Sequence, residues 1–342
     1  MKKLLSLFLL SCLLGPVSAE DGSRLWLRQS TDAHAQITTP RQSPTLNIAV
    51  RELKQAWKGL PVTLVLKKDK QLSSEGFRIR QVNGKLTVTS PSETGLLYAA
   101  YHLIRLQEMQ NFGKPSETDQ EITENPAYDL RILNHWDNLD RSIERGYAGK
   151  SLWNWEELPG TLSDRYEAYA RANASIGINA TVLNNVNASS KILSTEYLEK
   201  VKALADIFRP YGIKVYLSIN FASPMQLGGL STADPLDKDV IAWWKQKVKE
   251  IYRTIPDFGF LVKANSEGQP GPCDFNRTHA EGANMLADAL KPYKGIVMWR
   301  AFVYSPTDAD RAKQAYLEFQ PLDGQFRDNV IVQIKNGPVD FQ

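Results

Sequence analysis

A regular alternation of apolar runs and helical stretches after Asp129 constrains the fold of this 342-residue chain more than any other feature. In chain order the six apolar runs lie in "DLRILNHWD", "INATVLNN", "IKVYLSIN", "FGFLVKANSEG", "GIVMWRAFVY" and "NVIVQIKNGPVD", and five helical segments separate them. Nearly continuous apolar strands that alternate with single helices indicate a parallel sheet covered by helices. Doubly wound sheets and barrels share this pattern, so it leaves the topology open.

Polar residues at the ends of all six runs favour a barrel. In a doubly wound sheet, ligand-binding groups collect near one switch point, whereas in a (β/α)8 barrel they come from the carboxyl ends of many strands. The polar residues at the six ends are Asn134, His135, Trp136 and Asp137; Asn184 and Asn185; Ser218 and Asn220; Lys263, Asn265 and Glu267; Arg300; and Lys335, Asn336 and Asp340.

The fold class predicted for residues 123–342 is therefore α/β, a partial (β/α)8 TIM barrel. A closed barrel of this type has eight strands, and the sequence supplies six of the eight. We interpret the sequence as a truncated piece of a longer enzyme. "GYAGKS" at 146–151 lacks the spacing of a phosphate-binding loop, so no nucleotide cofactor is expected.

Residues 20–122 predict a separate, small α/β domain. "SPTLNIAVRELKQAWKGL" has helical spacing, and "GFRIRQVNGKLTVTSPS" alternates like two strands joined by an Asn-Gly turn. "SETGLLYAAYHLIRLQEMQ" predicts an amphipathic helix with Ser92 as its N-cap. The polar stretch "GKPSETDQEITENPAYD" is interpreted as the linker between the two domains.

The N-terminus predicts export. Residues 1–19 have a basic start, an apolar run and a small-residue cleavage pattern, so they are interpreted as a signal peptide for a periplasmic or extracellular protein. "LLSC" offers a lipoprotein anchor as the less favoured alternative. The chain has 41 Lys and Arg against 38 Asp and Glu, and two of the lysines lie in the signal, which leaves a mature charge of +1. This balance gives no electrostatic case for a nucleic-acid partner, and no other apolar stretch has the length of a membrane span.

Glu267 is the first candidate catalytic residue. It follows a strand, which fixes its backbone, and the glycines and prolines of "EGQPGP" fix the turn after it. A general acid at neutral pH needs a raised pKa, which partial burial and a neighbouring carboxylate provide. A solvated loop charge is the alternative for Glu267, as a strand-end charge is for Asp340.

Asp340 lies two strands further along the predicted barrel than Glu267. Two strand spacings amount to roughly 10 Å, so converging side chains reach the 6.5–9.5 Å separation that an inverting glycosidase uses. Lys263 and Arg300 lie at the ends of adjacent strands. They are interpreted either as ion-pair partners for Glu267 and Asp340 or as a clamp on an acidic substrate.

Aromatic residues near the strand ends are candidate sugar platforms. Trp136 and Trp153 have polar flanks, which favours sugar stacking over a place in the core. His135 and His279 lack the companion ligands of a metal site, so no metal is predicted. Under the predicted cleavage Cys273 is the one remaining cysteine, and it is interpreted as a packing residue.

Four long blocks resemble the α-glucuronidases of glycoside hydrolase family 67. They are "LRILNHWDNLDRSIERGYAGKSLWNW", "GFLVKANSEGQPGP", "GIVMWRAFVY" and "VIVQIKNGPVDF". The resemblance implies a small α/β domain before a (β/α)8 barrel, with a helical C-terminal domain to follow. It also implies an exo-acting, inverting hydrolase that removes α-1,2-linked (4-O-methyl)glucuronic acid from small acidic xylooligosaccharides in xylan degradation.

The resemblance also implies roles for individual residues. Glu267 matches the general acid, and Asp340 matches one of two carboxylates that activate water. Lys263 and Arg300 match residues that bind the uronate carboxylate, and Trp136 matches a ring that contacts the sugar. The family's dimer contacts lie in its C-terminal region, so no oligomeric state is predicted.

Two other functions remain as alternatives. The chain is also interpretable as an inactive carbohydrate-binding remnant of such an enzyme, which would bind aldouronic acid without turnover. A β-hexosaminidase-like enzyme would share a small α/β domain before a barrel. Such enzymes use an Asp-Glu pair at the fourth strand end, where this chain has Ser266 and Glu267.

Overall fold

The structure is a computed structural model that describes residues 26–27, 35–110, 119–302 and 311–335. The predicted signal peptide and Asp340 lie outside these residues. The described residues form two sheets, one of five strands near the N-terminus and one of six parallel strands. Within them, no helix combines the length and the apolarity that crossing a membrane requires.

The N-terminal sheet is mixed, with the strand order β1-β2-β4-β3-β5. Two of its predicted details are confirmed. The β3–β4 hairpin turns through Asn83 and Gly84, whose φ angles of 50° and 69° suit a two-residue turn. Ser92 caps helix α2, and its Oγ accepts a hydrogen bond of 3.1 Å from the backbone of Gly95. The elements are β1 (Ile37–Thr38), α1 (Pro44–Ala56), β2 (Val62–Leu66), β3 (Phe77–Val82), β4 (Lys85–Ser90), α2 (Glu93–Gln110) and β5 (Gln120–Glu124).

Strand β5 is absent from the sequence-based prediction, which treated the whole segment as a linker. It pairs antiparallel with β3 at the edge of the sheet, and Ile122 lies opposite Ile79. Ile122 packs against the core, whereas the other side chains of β5 are exposed. One apolar residue among polar ones gave too weak a pattern to predict a strand.

The six-stranded sheet is a half-barrel whose strands follow each other in space in their chain order. All its neighbouring strands are parallel, as predicted. The elements are β6 (Ile132–Asn134), α3 (Asp164–Ser175), β7 (Ala180–Val182), α4 (Thr195–Phe208), β8 (Lys214–Ile219), α5 (Ser223–Gln226), α6 (Lys238–Tyr252), β9 (Phe258–Val262), α7 (His279–Leu290), β10 (Val297–Arg300), α8 (Arg311–Phe319) and β11 (Val330–Gln333).

Both faces of the half-barrel sheet are apolar. Alternate side chains form a small interior cluster, which includes Val182, Tyr216, Leu261 and Met298. The side chains between them belong to the large core that the helices cover. Burial on both faces explains why these strands are continuous apolar runs in the sequence.

An ion pair, here called the junction pair, is one of the contacts between the N-terminal part of the structure and the half-barrel. Glu52 of α1 is 1% exposed, and both of its carboxylate oxygens accept from Arg171 of α3, at 2.7 and 2.8 Å. Beside it, Arg51 donates to both Glu167 and the Tyr211 hydroxyl. A bidentate arginine satisfies a carboxylate with fixed geometry, so this contact constrains how the two parts pack.

Candidate active site

Three of the predicted site residues lie at the carboxyl edge of the half-barrel sheet. Lys263 directly follows β9, Arg300 is the last residue of the neighbouring strand β10, and Trp136 lies two residues beyond β6. Lys263 and Arg300 are 4% and 7% exposed. The parallel strands therefore bring two buried cations to the same edge of the sheet.

The loop after β9 holds Glu267 in a defined conformation. Asn265 and Glu267 have φ angles of 51° and 47°, a region that side chains other than glycine adopt only where surrounding contacts hold them. The side chain of Asn265 accepts from the backbone of Cys273 and donates to Asp274, which ties the loop together. Gly271 passes so close to Asn265 that a Cβ at this position would lie 2.7 Å from its backbone nitrogen.

Glu267 is held by two cations. One oxygen accepts from Lys263, and the other accepts from Nη2 of Arg145 at 2.9 Å. Burial alone would raise the pKa of Glu267, but the hydrogen bond and charge of Lys263, together with Arg145, outweigh it and lower the pKa. The expectation of a raised pKa is wrong for the free protein, because the groups in contact with Glu267 are cations and not a carboxylate.

Lys263 is oriented by a second contact. Its ammonium donates to Oδ1 of Asn187, in the loop after β7, at 2.7 Å. Burial lowers the pKa of Lys263, and the hydrogen bond to Glu267 opposes that effect in part. The ammonium is therefore costly to keep charged and is stabilised by anionic partners.

Glu144 is a site residue that the sequence analysis missed. Its side chain is 6% exposed, and its Oε1 lies 3.4 Å from Nε of Arg145. Its other oxygen accepts from Asn185 at 3.3 Å, and its φ is 51°. It lies ten residues after β6 in a loop without periodicity, so no pattern marked it. Glu144, Arg145, Lys263 and Glu267 are called the mouth cluster below.

Arg300 and Trp136 form a second contact at the same edge. The guanidinium carbon of Arg300 lies over the Trp136 ring, 5.7 Å from its centroid. Trp136 is partly buried and packs against the interior cluster of the half-barrel. An arginine held over an aromatic face keeps its planar donors oriented for a carboxylate.

A cavity of about 400 Å³ adjoins the mouth cluster. It lies between the loops after β6 and β7, and Asn185 and Asn187 line it while also contacting Glu144 and Lys263. Its other lining residues are Asp137, Asn138, Leu139, Asp140, Asn184, Ala188, Ser189, Lys191 and Tyr197. The lining is rich in amide and carboxylate groups, which suits a polar ligand.

Two interpretations of single residues are wrong. Trp153 is fully buried, with its ring against His135 and Tyr169 and its Nε1 donating to the carbonyl of Leu183, so it is a core residue and offers no sugar platform. Cys273 is exposed and does not pack in the core.

His279 has a structural environment. It is buried, its Nδ1 accepts from Nε1 of Trp299, and its ring stacks on Phe319. Its contact with Cys273 is long, at 3.9 Å between Sγ and Nε2. These contacts account for His279 as a residue that holds α7 against β10 and α8, in agreement with its interpretation as structural.

Comparison with known proteins identifies the half-barrel region. Residues 111–342 match the model of the glycosyl hydrolase family 67 middle domain. A probable alpha-glucuronidase A of Aspergillus clavatus is 49% identical over 280 residues, covering 80% of this chain and 33% of that protein. Alpha-glucuronidase A of Aspergillus tubingensis is 41% identical over 377 residues, covering 97% of this chain and 44% of that protein. The chain thus spans between a third and a half of the length of these relatives.

Solved structures share the fold at low identity. A GH138 enzyme targeting pectin rhamnogalacturonan II has a TM-score of 0.55 at 16% identity, covering 88% of this chain and 38% of its own. A mutant β-hexosaminidase of Streptomyces plicatus in complex with its product has a TM-score of 0.52 at 12% identity, covering 92% of this chain and 67% of its own. The likeness to a β-hexosaminidase is thus one of fold alone.

Proposed function

The chain belongs to glycosyl hydrolase family 67, and from that premise we propose that it carries the acid-donating and uronate-binding part of an α-glucuronidase. The reaction is exo-acting, inverting hydrolysis of α-1,2-linked (4-O-methyl)glucuronic acid from xylooligosaccharides. Support comes from the family match and from the name alpha-glucuronidase that the curated relatives carry. Residues 1–19 support the further proposal that the protein is exported.

The observation that carries the proposal is the pair of buried cations, Lys263 and Arg300, at adjacent strand ends. Arginine presents a fork of donors that matches a carboxylate, and a buried lysine gains from an anionic partner. We assign both to the carboxylate of the uronic acid. Trp136, under the guanidinium of Arg300, provides an apolar face for the sugar ring.

Glu267 is assigned as the general acid, which requires that it carry a proton when the glycosidic bond breaks. In the free protein its pKa is lowered, mainly through Lys263. A uronate that binds Lys263 replaces Glu267 as the partner of that ammonium and brings a second negative charge nearby. Both effects raise the pKa of Glu267, so the substrate itself prepares the acid.

Asp340 is assigned as a base that activates the attacking water. Strands β9 and β11 are separated by β10 alone, so the carboxyl ends of these two strands lie roughly 10 Å apart. That separation agrees with an inverting glycosidase, in which a water molecule lies between acid and base.

The test is release of glucuronate from aldouronic acids, measured on the protein without substitutions, called the parent below, and on Glu267→Gln. Loss of a general acid lowers kcat by roughly 100-fold or more. Glu196→Gln is the matched control, since Glu196 also pairs with a lysine four residues away but lies on the surface of α4. Full activity in Glu267→Gln would overturn the assignment.

Calorimetry with aldouronic acid separates the enzyme from the remnant. Binding together with turnover supports the proposed hydrolase. Binding without turnover supports a carbohydrate-binding protein. The absence of both contradicts the proposed use of Lys263 and Arg300.

A further inference from the structure

Arg145 contacts the proposed acid and Glu144 contacts Arg145, but neither residue has a role in the function proposed so far. Glu144 is a fixed carboxylate, because it is buried, accepts from Asn185 and has a left-handed backbone conformation. A glutamate in that conformation costs free energy, so surrounding contacts must hold it there. A buried carboxylate next to Lys263 and Arg145 also costs desolvation free energy unless it serves a charged partner.

Arg145 has the opposite character. Its side chain is 65% exposed, and it lies between two carboxylates. Its Nη2 is 2.9 Å from Oε1 of Glu267, whereas its Nε is 3.4 Å from Oε1 of Glu144. The negative charge of Glu267, followed by that of Glu144, raises the pKa of Arg145, so the guanidinium stays charged throughout. An exposed arginine side chain is long enough to exchange its hydrogen bond with one carboxylate for a hydrogen bond with the other.

The acid role of Glu267 is favoured by such a shift. A uronate bound to Lys263 removes one cation from Glu267, but Arg145 still occupies the other oxygen. As long as the guanidinium donates to Oε1, its charge favours the ionised form of Glu267 and keeps the pKa of the acid low, even with the other oxygen free. Withdrawal of Arg145 would remove this effect, and Glu144 lies within its reach.

We propose that Arg145 is a positioning residue that exchanges partners, bound to Glu267 in the free protein and withdrawn to Glu144 when a uronate occupies Lys263. This rests on the proposed role of Glu267 as the acid. Glu144 holds Arg145 in the complex, and Glu267 takes its proton from solvent once the guanidinium has left. The exchange keeps the acid ionised and oriented until a substrate with a carboxylate arrives.

The first experiment is steady-state hydrolysis of an aldouronic acid by the parent, Glu144→Gln, Arg145→Gln and the double variant. In Glu144→Gln the guanidinium of Arg145 loses the carboxylate of Glu144 as an alternative partner and stays on Glu267. We expect kcat to fall about tenfold, which is less than the loss expected when a general acid is removed, and KM not to rise. The glutamine still accepts from Asn185, which preserves the loop. Removing Arg145 in the double variant restores kcat to within about threefold of the parent.

The single variant Arg145→Gln gives a second, independent prediction. Without the guanidinium, Glu267 binds its proton more readily, and kcat/KM at pH 8 rises about threefold. Because Arg145 is exposed, this variant folds like the parent. A merely structural role for the pair predicts the opposite, a loss in each single variant and a larger loss in the double variant.

A titration of the Glu267 carboxyl by carbon-13 NMR needs no turnover. The charged groups that act on it are Lys263 from the end of β9 and Arg145 from the loop after β6. Arg300 from the end of β10 and Glu144 act on Lys263 in turn. We expect saturating glucuronate to raise the pH midpoint of the Glu267 titration in the unsubstituted protein and to raise it by less in Glu144→Gln. In Arg145→Gln the midpoint is already raised before glucuronate is added. Glu267→Gln identifies the signal.

The outcomes separate this inference from the proposed function. Full activity in Glu267→Gln overturns the function itself. If Glu267→Gln is inactive and Arg145→Gln is also impaired tenfold, the function stands and the partner exchange is wrong. A double variant no better than Glu144→Gln, or a glucuronate-induced midpoint shift that is equal in Glu144→Gln and the parent, overturns the exchange in the same way.

Discussion

The junction pair and the mouth cluster are two ways of placing a carboxylate beside an arginine, and they have opposite physical characters. At the junction, both oxygens of Glu52 are taken by one guanidinium, and the carboxylate is almost fully buried. At the mouth, the side chain of Glu267 is 24% exposed and is shared between Lys263 and Arg145, while Arg145 also reaches Glu144. The first arrangement admits one geometry, and the second admits several.

The difference indicates which charges stabilise the fold and which are available for chemistry. A buried carboxylate that one arginine binds through both oxygens becomes an uncompensated charge when that arginine is lost. A carboxylate with two competing cations and access to solvent loses little when one of them leaves. We therefore expect the same interaction type to contribute mainly to stability at the junction and mainly to function at the mouth.

The largest expected effect is at the junction. Arg171→Leu leaves Glu52 buried without a cation, and the free energy of unfolding falls by about 3–5 kcal/mol. Urea unfolding of this variant is compared with that of the double variant Glu52→Gln/Arg171→Leu. The double variant leaves no unpaired charge at the junction, so it should recover most of the lost free energy of unfolding. A loss below about 1 kcal/mol in Arg171→Leu would show that the junction is as loose as the mouth.

Lys263→Met at the mouth is expected to affect ligand binding and leave folding almost unchanged. Loss of a charged hydrogen bond weakens glucuronate binding by about 2 kcal/mol, roughly 10- to 100-fold in Kd. The free energy of unfolding changes by less than about 1 kcal/mol, because Arg145 still neutralises Glu267. Calorimetry and urea unfolding measure the two effects. Lys200→Met is the control, because Lys200 is also a largely buried lysine that pairs with a glutamate four residues away, Glu196, but lies on α4. Strong destabilisation by Lys263→Met would contradict the comparison.

Glu267 should make a contribution to the free energy of unfolding that depends on pH and is smaller than the effects of the two preceding substitutions. Its folded-state pKa is lowered relative to the unfolded value of about 4.3, so its contribution is present above that pH and is lost as the pH falls through the folded pKa. The stability difference between the parent and Glu267→Gln therefore narrows between pH 5 and pH 2, as measured by urea midpoints. A difference that widens on acidification would mean that the pKa is raised instead.

The smallest effect is expected for an ordinary surface pair, which sets the baseline for both clusters. Lys202 and Asp206 are half-exposed and lie one turn apart on α4. Lys202→Ala should change the free energy of unfolding by less than about 0.5 kcal/mol. Thermal melting of Lys202→Ala and of the unsubstituted protein at low and high salt checks that screening removes even this contribution.

The fold was predictable where the sequence carries periodic burial. All six strands of the half-barrel were predicted because both sheet faces are apolar, and the long helices between them were predicted as well. The four-residue helix α5 was not predicted. Strand β5 was missed because only one of its residues, Ile122, is even partly buried. The junction pair was also invisible, since Glu52 and Arg171 are 119 positions apart and nothing in either helix marks its partner.

The site was predictable to the extent that strand ends determine it. Lys263, Arg300 and Trp136 were found because parallel strands bring their carboxyl ends to one edge. The charge state of Glu267 was not predictable, because Arg145 comes from a loop 122 positions earlier. Trp153 was misassigned because polar neighbours in the sequence do not prevent a ring from lying in the core.

Gly271 approaches Asn265 so closely that the orientation of the proposed acid, Glu267, depends on position 271 having no side chain. A single added methyl at Gly271 forces Asn265 to move, and Asn265 lies two positions before Glu267 in the same turn. The proton donor would then be misdirected although every charged residue of the mouth remained in place. For a protein engineer, an intact set of catalytic side chains is therefore no guarantee of a working acid: the space left empty at position 271 has to be inherited together with them.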